Sequence, residues 1–331
     1  MDIETHAINP VRRASLAMSA LLAAFLITLE AGTALGAGDY RLEANSVADG
    51  VYVFWGLNEP QTPSNGARIA NDGFIVGDDA VLVVDTGSTR RYGEQMLEAI
   101  AKVTDLPVRH VVVTHHHFDH AFGIPAFADR GIEVVMHAEA ARLLAFEGEA
   151  ILTQVTDLIG PEWIEGTTVG MPSRTITEAE DFDLGGRVVT VTPFPNGHTP
   201  GDMAITDRAT RTVFAGDLVF IGRPSTVPHA DIPTWQKHLD TLAEWDWKQL
   251  IPGHGALVTA PEALRAAKDY LVFVFDHTVC AFQQGDTAVE ALMVDIPEQH
   301  QDLAMLDVEF QRSVFQLFRQ YEASGAPPCN Q

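Results

Sequence analysis

The stretch Thr114-His115-His116-His117-Phe118-Asp119-His120 places four imidazoles and one carboxylate within six positions, directly after the apolar run His110-Val111-Val112-Val113. Imidazole suits zinc, iron and similar metals, and a carboxylate adds a harder oxygen ligand. The pattern His-x-His-x-Asp-His therefore reads as a metal-binding turn at the end of a strand. In an extended segment alternate residues face the same way, which groups His115, His117 and Asp119 on one side. His120 then turns into the site where a following helix begins. A solvated, His-rich loop is the plainer alternative, and the rest of the chain decides between the two.

Upstream of this turn, Ala80-Val81-Leu82-Val83-Val84-Asp85 is apolar on both faces and predicts a central strand. Asp85-Thr86-Gly87 ends it, and residues 90–102 show helical periodicity through Met96, Leu97, Ile100 and Ala101. A strand, helix, strand order with polar residues at a carboxyl end is where open sheets place their sites. Asp85 either hydrogen-bonds a histidine and fixes its tautomer or caps the next helix. Gly50–Gly56 and Gly73–Gly77 predict two further strands. Between them, residues 57–71, with Pro60, Pro63 and Gly66, read either as a flap over the site or as a surface excursion.

Downstream, residues 132–137 predict a strand that ends at His137 without binding metal, and residues 138–146 a helix. Residues 147–175, broken by Gly160-Pro161, Gly166 and Pro172, read as an insertion between two halves of a core. The second half repeats one device three times. A strand over 186–192 runs into Gly197-His198-Thr199-Pro200-Gly201, a hairpin over 203–215 ends in Gly216-Asp217, and a short strand over 249–251 ends in Pro252-Gly253-His254-Gly255. Each junction delivers one metal-ligand type from a strand end. Any one alone reads equally as a satisfied core histidine or a turn carboxylate, but four junctions in one chain form a pattern.

A chain of 331 residues, 46% hydrophobic and 20% charged, buries a large core. Its formal charge of -24 repels nucleic acid and anionic membranes, so a small-molecule substrate is expected and nucleic acid is not. Cys280 and Cys329 form no zinc-knuckle spacing and are either a disulfide or two thiols. Arg12-Arg13, the apolar run Leu16–Leu29 and the small residues Ala31 to Ala37 predict a signal peptide over 1–37, export to the periplasm or beyond, and no stable membrane span after cleavage. Residues 38–260 then form the main domain. Residues 261–331 form a helical extension packed on it, through Leu264, Leu271, Val274, Phe310, Val314 and Phe318 at helical spacings.

His115-x-His117-x-Asp119-His120, Gly197-His198, Gly216-Asp217, Pro252-Gly253-His254-Gly255 and Asp85-Thr86-Gly87 together resemble the metallo-β-lactamase superfamily over about residues 45–258. The resemblance implies an α/β fold, a four-layer αβ/βα sandwich with the site along one edge. It implies a pair of zinc ions, one on His115, His117 and His198, the other on Asp119, His120 and His254, with Asp217 bridging and Asp85 behind the ligands. Asp119 would orient the attacking water or accept its proton. Arg223, six residues after Asp217, reads either as a contact for an anionic group of the substrate or as half of a surface salt bridge. Asp217 stands where lactamases of the three-histidine type carry Cys, which turns the expectation from β-lactams toward esters, thioesters, lactones or amides. Residues 65–77 and 216–223 resemble exported metallohydrolases linked to quinoprotein relay and sulfur-oxidation systems. Two alternatives stand beside hydrolysis: a persulfide dioxygenase with a single iron, and a non-hydrolytic accessory protein of a periplasmic redox system.

Overall fold

In the computed structural model, which describes residues 38–329, the β-branched runs condense into two sheets. The first holds β1 (Asn45–Ala48), β2 (Val51–Phe54), β3 (Asp72–Val76), β4 (Val81–Val84), β5 (Val108–Val112), β6 (Glu133–His137) and β7 (Arg174–Ile176), side by side in that order. Neighbours from β1 to β4 pair antiparallel and those from β4 to β7 parallel. The second holds β8 (Glu180–Asp183), β9 (Val188–Phe194), β10 (Asp202–Asp207), β11 (Thr212–Phe214) and β12 (Gln249–Ile251). Here β8 to β11 pair antiparallel and β11 pairs β12 parallel, so β9, β11 and β12 all end at one edge.

Helices α1 (Arg90–Ile100), α2 (Phe118–Ala121), α3 (Ile124–Ala128), α4 (Ala138–Ile159) and α5 (Pro161–Ile164) belong to the first half. Helices α6 (Ile232–Glu244), α7 (Glu262–Gln284), α8 (Ala288–Ala291) and α9 (Leu306–Ser324) follow the second. The period of two along the strands sorts their side chains into layers. Leu82, Val84, Val112 and Val135 meet Val191, Ile205 and Phe214 between the sheets. Val81, Val83 and Val111 face Met96, Phe127 and Leu144 of the first helical layer. Ala204, Val213 and Leu250 face Trp235, Leu271 and Val314 of the second. The result is the α/β four-layer sandwich expected from the sequence.

Arg187 pins the two sheets together. Its guanidinium donates to both carboxylate oxygens of the buried Asp207 at 2.9 and 2.8 Å, and to the carbonyls of Val76 and Asp49 from the first sheet. Burial alone would raise the Asp207 carboxyl, but Arg187 outweighs it and holds the group below its usual range.

Several expectations need correction. The predicted helix over 138–146 continues to Ile159. It takes in the first part of the segment read as an insertion, and Gly148 on it lets Val169 approach so closely that a Cβ would lie 2.6 Å from Val169 Cγ1. Residues 57–71 are not a surface excursion and lie against the site: Asn65, Ala67, Ile69, Ala70 and Asn71 are buried, Gln61 and Ile69 line the cleft beside Asp119 and His254, and Trp163 donates its indole N–H to the Pro63 carbonyl. β5 ends at Val112, before the histidines, so strand alternation does not govern them. His137 ends β6 and caps α4, its Nδ1 accepting from the Glu139 N–H.

On α9, Phe310, Val314, Leu317, Phe318 and Tyr321 recur on one face and join the second helical layer's core. Cys280 of α7 is disulfide-bonded to Cys329, fastening the segment beyond α9. No helix among the described residues is long and apolar enough to cross a membrane. The expected signal peptide lies outside the described residues.

Candidate metal centre

Two clusters form where the strand ends converge. Ligand atoms of His115, His117, His198 and Asp217 lie within 4.8 Å of one another, and so do those of Asp119, His120 and His254. Asp119 therefore joins His120, not His115 and His117 as alternation suggested. The reason is that α2 starts at Phe118 and carries both residues on its single turn. That turn is fixed by the His120 carbonyl, which accepts from both the N–H and the hydroxyl of Thr86 at 2.8 Å.

Asp217 stands between the clusters. Its Oδ2 is 3.3 Å from His198 Nε2 and 3.6 Å from His115 Nε2, while its Oδ1 is 3.1 Å from His120 Nε2 and 3.3 Å from His254 Nε2. Each oxygen thus faces a different cluster. Asp119 Oδ2 lies 3.4 Å from His254 Nε2.

The outer nitrogens show how the rings are aimed. His115 Nδ1 donates to Thr114 Oγ1 at 3.0 Å, His120 Nδ1 to Asp85 Oδ2 at 2.8 Å, His198 Nδ1 to the Thr226 carbonyl at 3.1 Å and His254 Nδ1 to the Ile69 carbonyl at 2.8 Å. With the ring proton engaged outward, each neutral imidazole turns a lone pair inward. His117 is oriented the other way round, with Nε2 outward against His229 Nδ1 at 3.0 Å and Nδ1 inward, 2.9 Å from His198 Nε2. Five lone pairs and two carboxylates then share one buried volume. His115 Nε2, His120 Nε2 and Asp217 Oδ1 have no hydrogen-bond partner there. Buried acceptors facing acceptors are costly unless a cation lies among them, so these residues fit metal ions.

The electrostatics differ between the clusters: burial would lower His120, but the carboxylates of Asp217, Asp85 and Asp119 outweigh it and hold that imidazole well above its usual range, a positive charge that a cation among them would replace. Burial, reinforced by neighbouring histidines, holds His115 and His117 well below the usual imidazole range, in the neutral form a metal requires. Burial would raise Asp217, but His254, His120 and His115 outweigh it and hold the carboxyl well below its ordinary value.

Asp85 settles between its two expected roles. Thr89, not Asp85, caps α1, accepting from the Tyr92 N–H. Asp85 accepts from the Thr114 N–H and hydroxyl as well as from His120. It does so from a left-handed backbone, φ +62°, a conformation costing about 1–2 kcal/mol for an L residue.

The His254 loop is held by contacts from the other half, and the His198 loop by contacts of its own. Asn71 donates to the carbonyls of Pro252 and Gly255 around His254, and Phe220 stacks on that ring at 5.0 Å. Asp202 accepts from the N–H and hydroxyl of Thr199 beside His198; burial pushes its carboxyl up to about 7.

A cleft of about 390 Å³ opens over Asp119, Asp217 and His254. Phe118, Ile151 and Leu158 give it an apolar wall, and Arg223, Arg312 and Gln316 a polar one. Arg223 is 5% exposed, its Nε and Nη1 have no partner, and Nη2 is 3.6 Å from Glu309 Oε1. The structure thus brings all seven expected ligands and Asp85 together and sets Arg223 on the same cleft. Sequence reasoning missed Glu147, His229 and the contribution of α9. A lone His in a Pro-His loop and polar residues on a C-terminal helix carry no signal that sets them apart from ordinary surface.

Residues 65–269 match the family described as the metallo-beta-lactamase superfamily. The chain is 29% identical over 238 residues to the acyl-coenzyme A thioesterase MBLAC2 of Gallus gallus, covering 66% of this chain and 83% of that protein. With the Homo sapiens protein of the same name it shares 26% over 271 residues, covering 75% and 94%. It is 23% identical over 256 residues to the linear primary-alkylsulfatase of a Pseudomonas species, covering 65% of this chain and 48% of that one. Among solved structures, a metallo-beta-lactamase from Pontibacter korlensis shares the fold with a TM-score of 0.57 at 20% identity, covering 70% of this chain and 99% of the other.

Proposed function

The chain belongs to the metallo-beta-lactamase superfamily and is a hydrolase of that fold, and from this premise we propose that it holds two zinc ions and hydrolyses thioesters. The observation that carries the two-metal reading is Asp217, whose two oxygens face two separate histidine clusters. A single iron would leave Asp119, His120 and His254 as a buried acceptor cluster with no cation, so the dioxygenase reading is the weaker one. His115, His117 and His198 would hold one ion, Asp119, His120 and His254 the other, with Asp217 shared.

Metal bound there supplies a water acidic enough to ionise near neutral pH and a Lewis acid for the substrate carbonyl. Asp119, at the floor of the cleft and 6% exposed, would orient the attacking water through its carboxylate and would accept its proton. Arg223, with two unpaired donors, anchors an anionic group of the substrate, and Phe118, Ile151 and Leu158 receive its apolar part. A thiolate leaves without the protonation an amine needs, so no further acid is required of the chain. The thioesterase relatives support this leaving group.

In the same reading the protein is exported and serves a sulfur-oxidation or quinoprotein-relay system. The signal-like segment and the local resemblances at 65–77 and 216–223 support it, and so does the disulfide, since such bonds persist in oxidising compartments. Cell fractionation tests export, and full-length protein retained in the cytoplasm contradicts it. For the chemistry, the test is a screen of metal-loaded protein against thioesters, lactones, sulfate esters, phosphodiesters and β-lactams. Thioesters are expected to give the highest kcat/KM; indifference to them alongside turnover of another class overturns the substrate reading.

A further inference from the structure

His117 differs from the other four inward-facing histidines in what holds it. Those four lean on a backbone carbonyl, on Thr114 or on Asp85. His117 leans on another histidine, which in turn meets a carboxylate. Its Nε2 is 3.0 Å from His229 Nδ1, and His229 Nε2 is 3.3 Å from Glu147 Oε1 on α4. The same Glu147 oxygen is 2.7 Å from Nε2 of the fully buried His116.

Resting on the two-metal reading above, we propose that Glu147 and His229 are positioning residues that present His117 Nδ1 to the metal, with His116 clamping Glu147 from the ligand turn itself. The proton bookkeeping runs in one direction. A His117 that offers Nδ1 to a cation carries its proton on Nε2 and needs an acceptor there. His229 Nδ1 accepts it, which leaves the His229 proton on Nε2, where Glu147 accepts in turn. Carboxylates behind metal-bound histidines fix ring orientation and tautomer in this way; here one imidazole is inserted between them.

His229 lies three residues after Thr226, whose carbonyl holds His198. One loop therefore orients two ligands of the same cluster. The arrangement also gives His116 a task that its position in the motif left open. It is not aimed at either cluster and acts through Glu147.

The test uses full-length protein titrated with cobalt(II), followed by its visible absorption and by metal counting, in wild type and in Glu147→Gln, His229→Phe and His229→Gln. His229→Phe is expected to weaken one of two cobalt sites by about 10–100-fold and to change that site's bands alone. Glu147→Gln should do the same to a smaller degree, and it remains a test if His229→Phe does not fold. His229→Gln, whose amide oxygen can accept from His117, should recover much of the affinity, a rescue that loss of packing alone would not allow. Wild-type affinities and spectra in all variants overturn the relay while leaving the two-metal reading intact. So does a third cobalt in wild type that is lost with His229, since His116, His117 and His229 would then be a cation site of their own. A wild type that takes up no cobalt refutes the two-metal reading, and the relay with it.

Discussion

The two halves of the sandwich build the same site by opposite means. The first half supplies four ligands from one turn, His115 to His120, braced from beneath by Asp85 and Thr114. The second supplies His198, Asp217 and His254 one at a time from three loops, with both histidines aligned by carbonyls from elsewhere in the chain. A concentrated ligand turn carries most of its own alignment, with His117 leaning on His229 from the other half, whereas dispersed ligands inherit theirs from the packing of the sheets. Damage at Asp119 should therefore be read in chemistry, and damage to the groups that orient ligands in either half in metal affinity and stability.

The largest effect is expected at Asp119. Asp119→Asn keeps the shape and most of the surrounding donors while removing the proton acceptor, so turnover should fall by about 100- to 10,000-fold with the fold intact. Steady-state kinetics beside metal analysis checks this, and unchanged kcat would remove Asp119 from the chemistry.

Next in size is the joint between the halves. Arg187→Ala leaves the buried Asp207 without its cation, held only by the Thr210 N–H and hydroxyl, and should cost about 3 kcal/mol of stability in denaturant unfolding. Because the native Asp207 carboxyl sits below its ordinary 3.8, the pair contributes fully above that pH. The contribution fades as pH falls through the depressed value, so wild type and variant should converge in acid.

A smaller and more local effect is expected at Gly253. A Cβ there would collide with Asp217 Oδ1 and with the backbone at Gly216, although no ligand is removed. Gly253→Ala should lower metal affinity by roughly tenfold, the lower end of what displaced supporting groups cost. Calorimetric metal titration reads the change, and wild-type affinity would show that the loop yields without moving Asp217.

This contrast also explains what was legible in the sequence. Local density is visible in a chain, so the His115–His120 turn declared itself and the strand-end ligands became recognisable once aligned with it. The strands followed from the β-branched runs, and the layer order from the family resemblance. Alternation put Asp119 with His115 and His117, whereas the family resemblance put it with His120 and His254, and the structure follows the resemblance because β5 stops at Val112 and α2 starts at Phe118. Asp85 carried two readings until its distance to His120 chose one. Glu147 was hidden because residues 147–175 read as an insertion, whereas α4 runs on through them to Ile159. His229 and α9 reach the cleft through tertiary packing, which leaves no local pattern.

The central claim is that two clusters share Asp217 across two metal ions. The most direct measurement is metal content per chain, by mass spectrometry, for wild type, His198→Ala and His254→Ala. The account predicts two equivalents of zinc in wild type and a loss from a different one of the two sites in each variant. One equivalent in wild type that survives His254→Ala would contradict it.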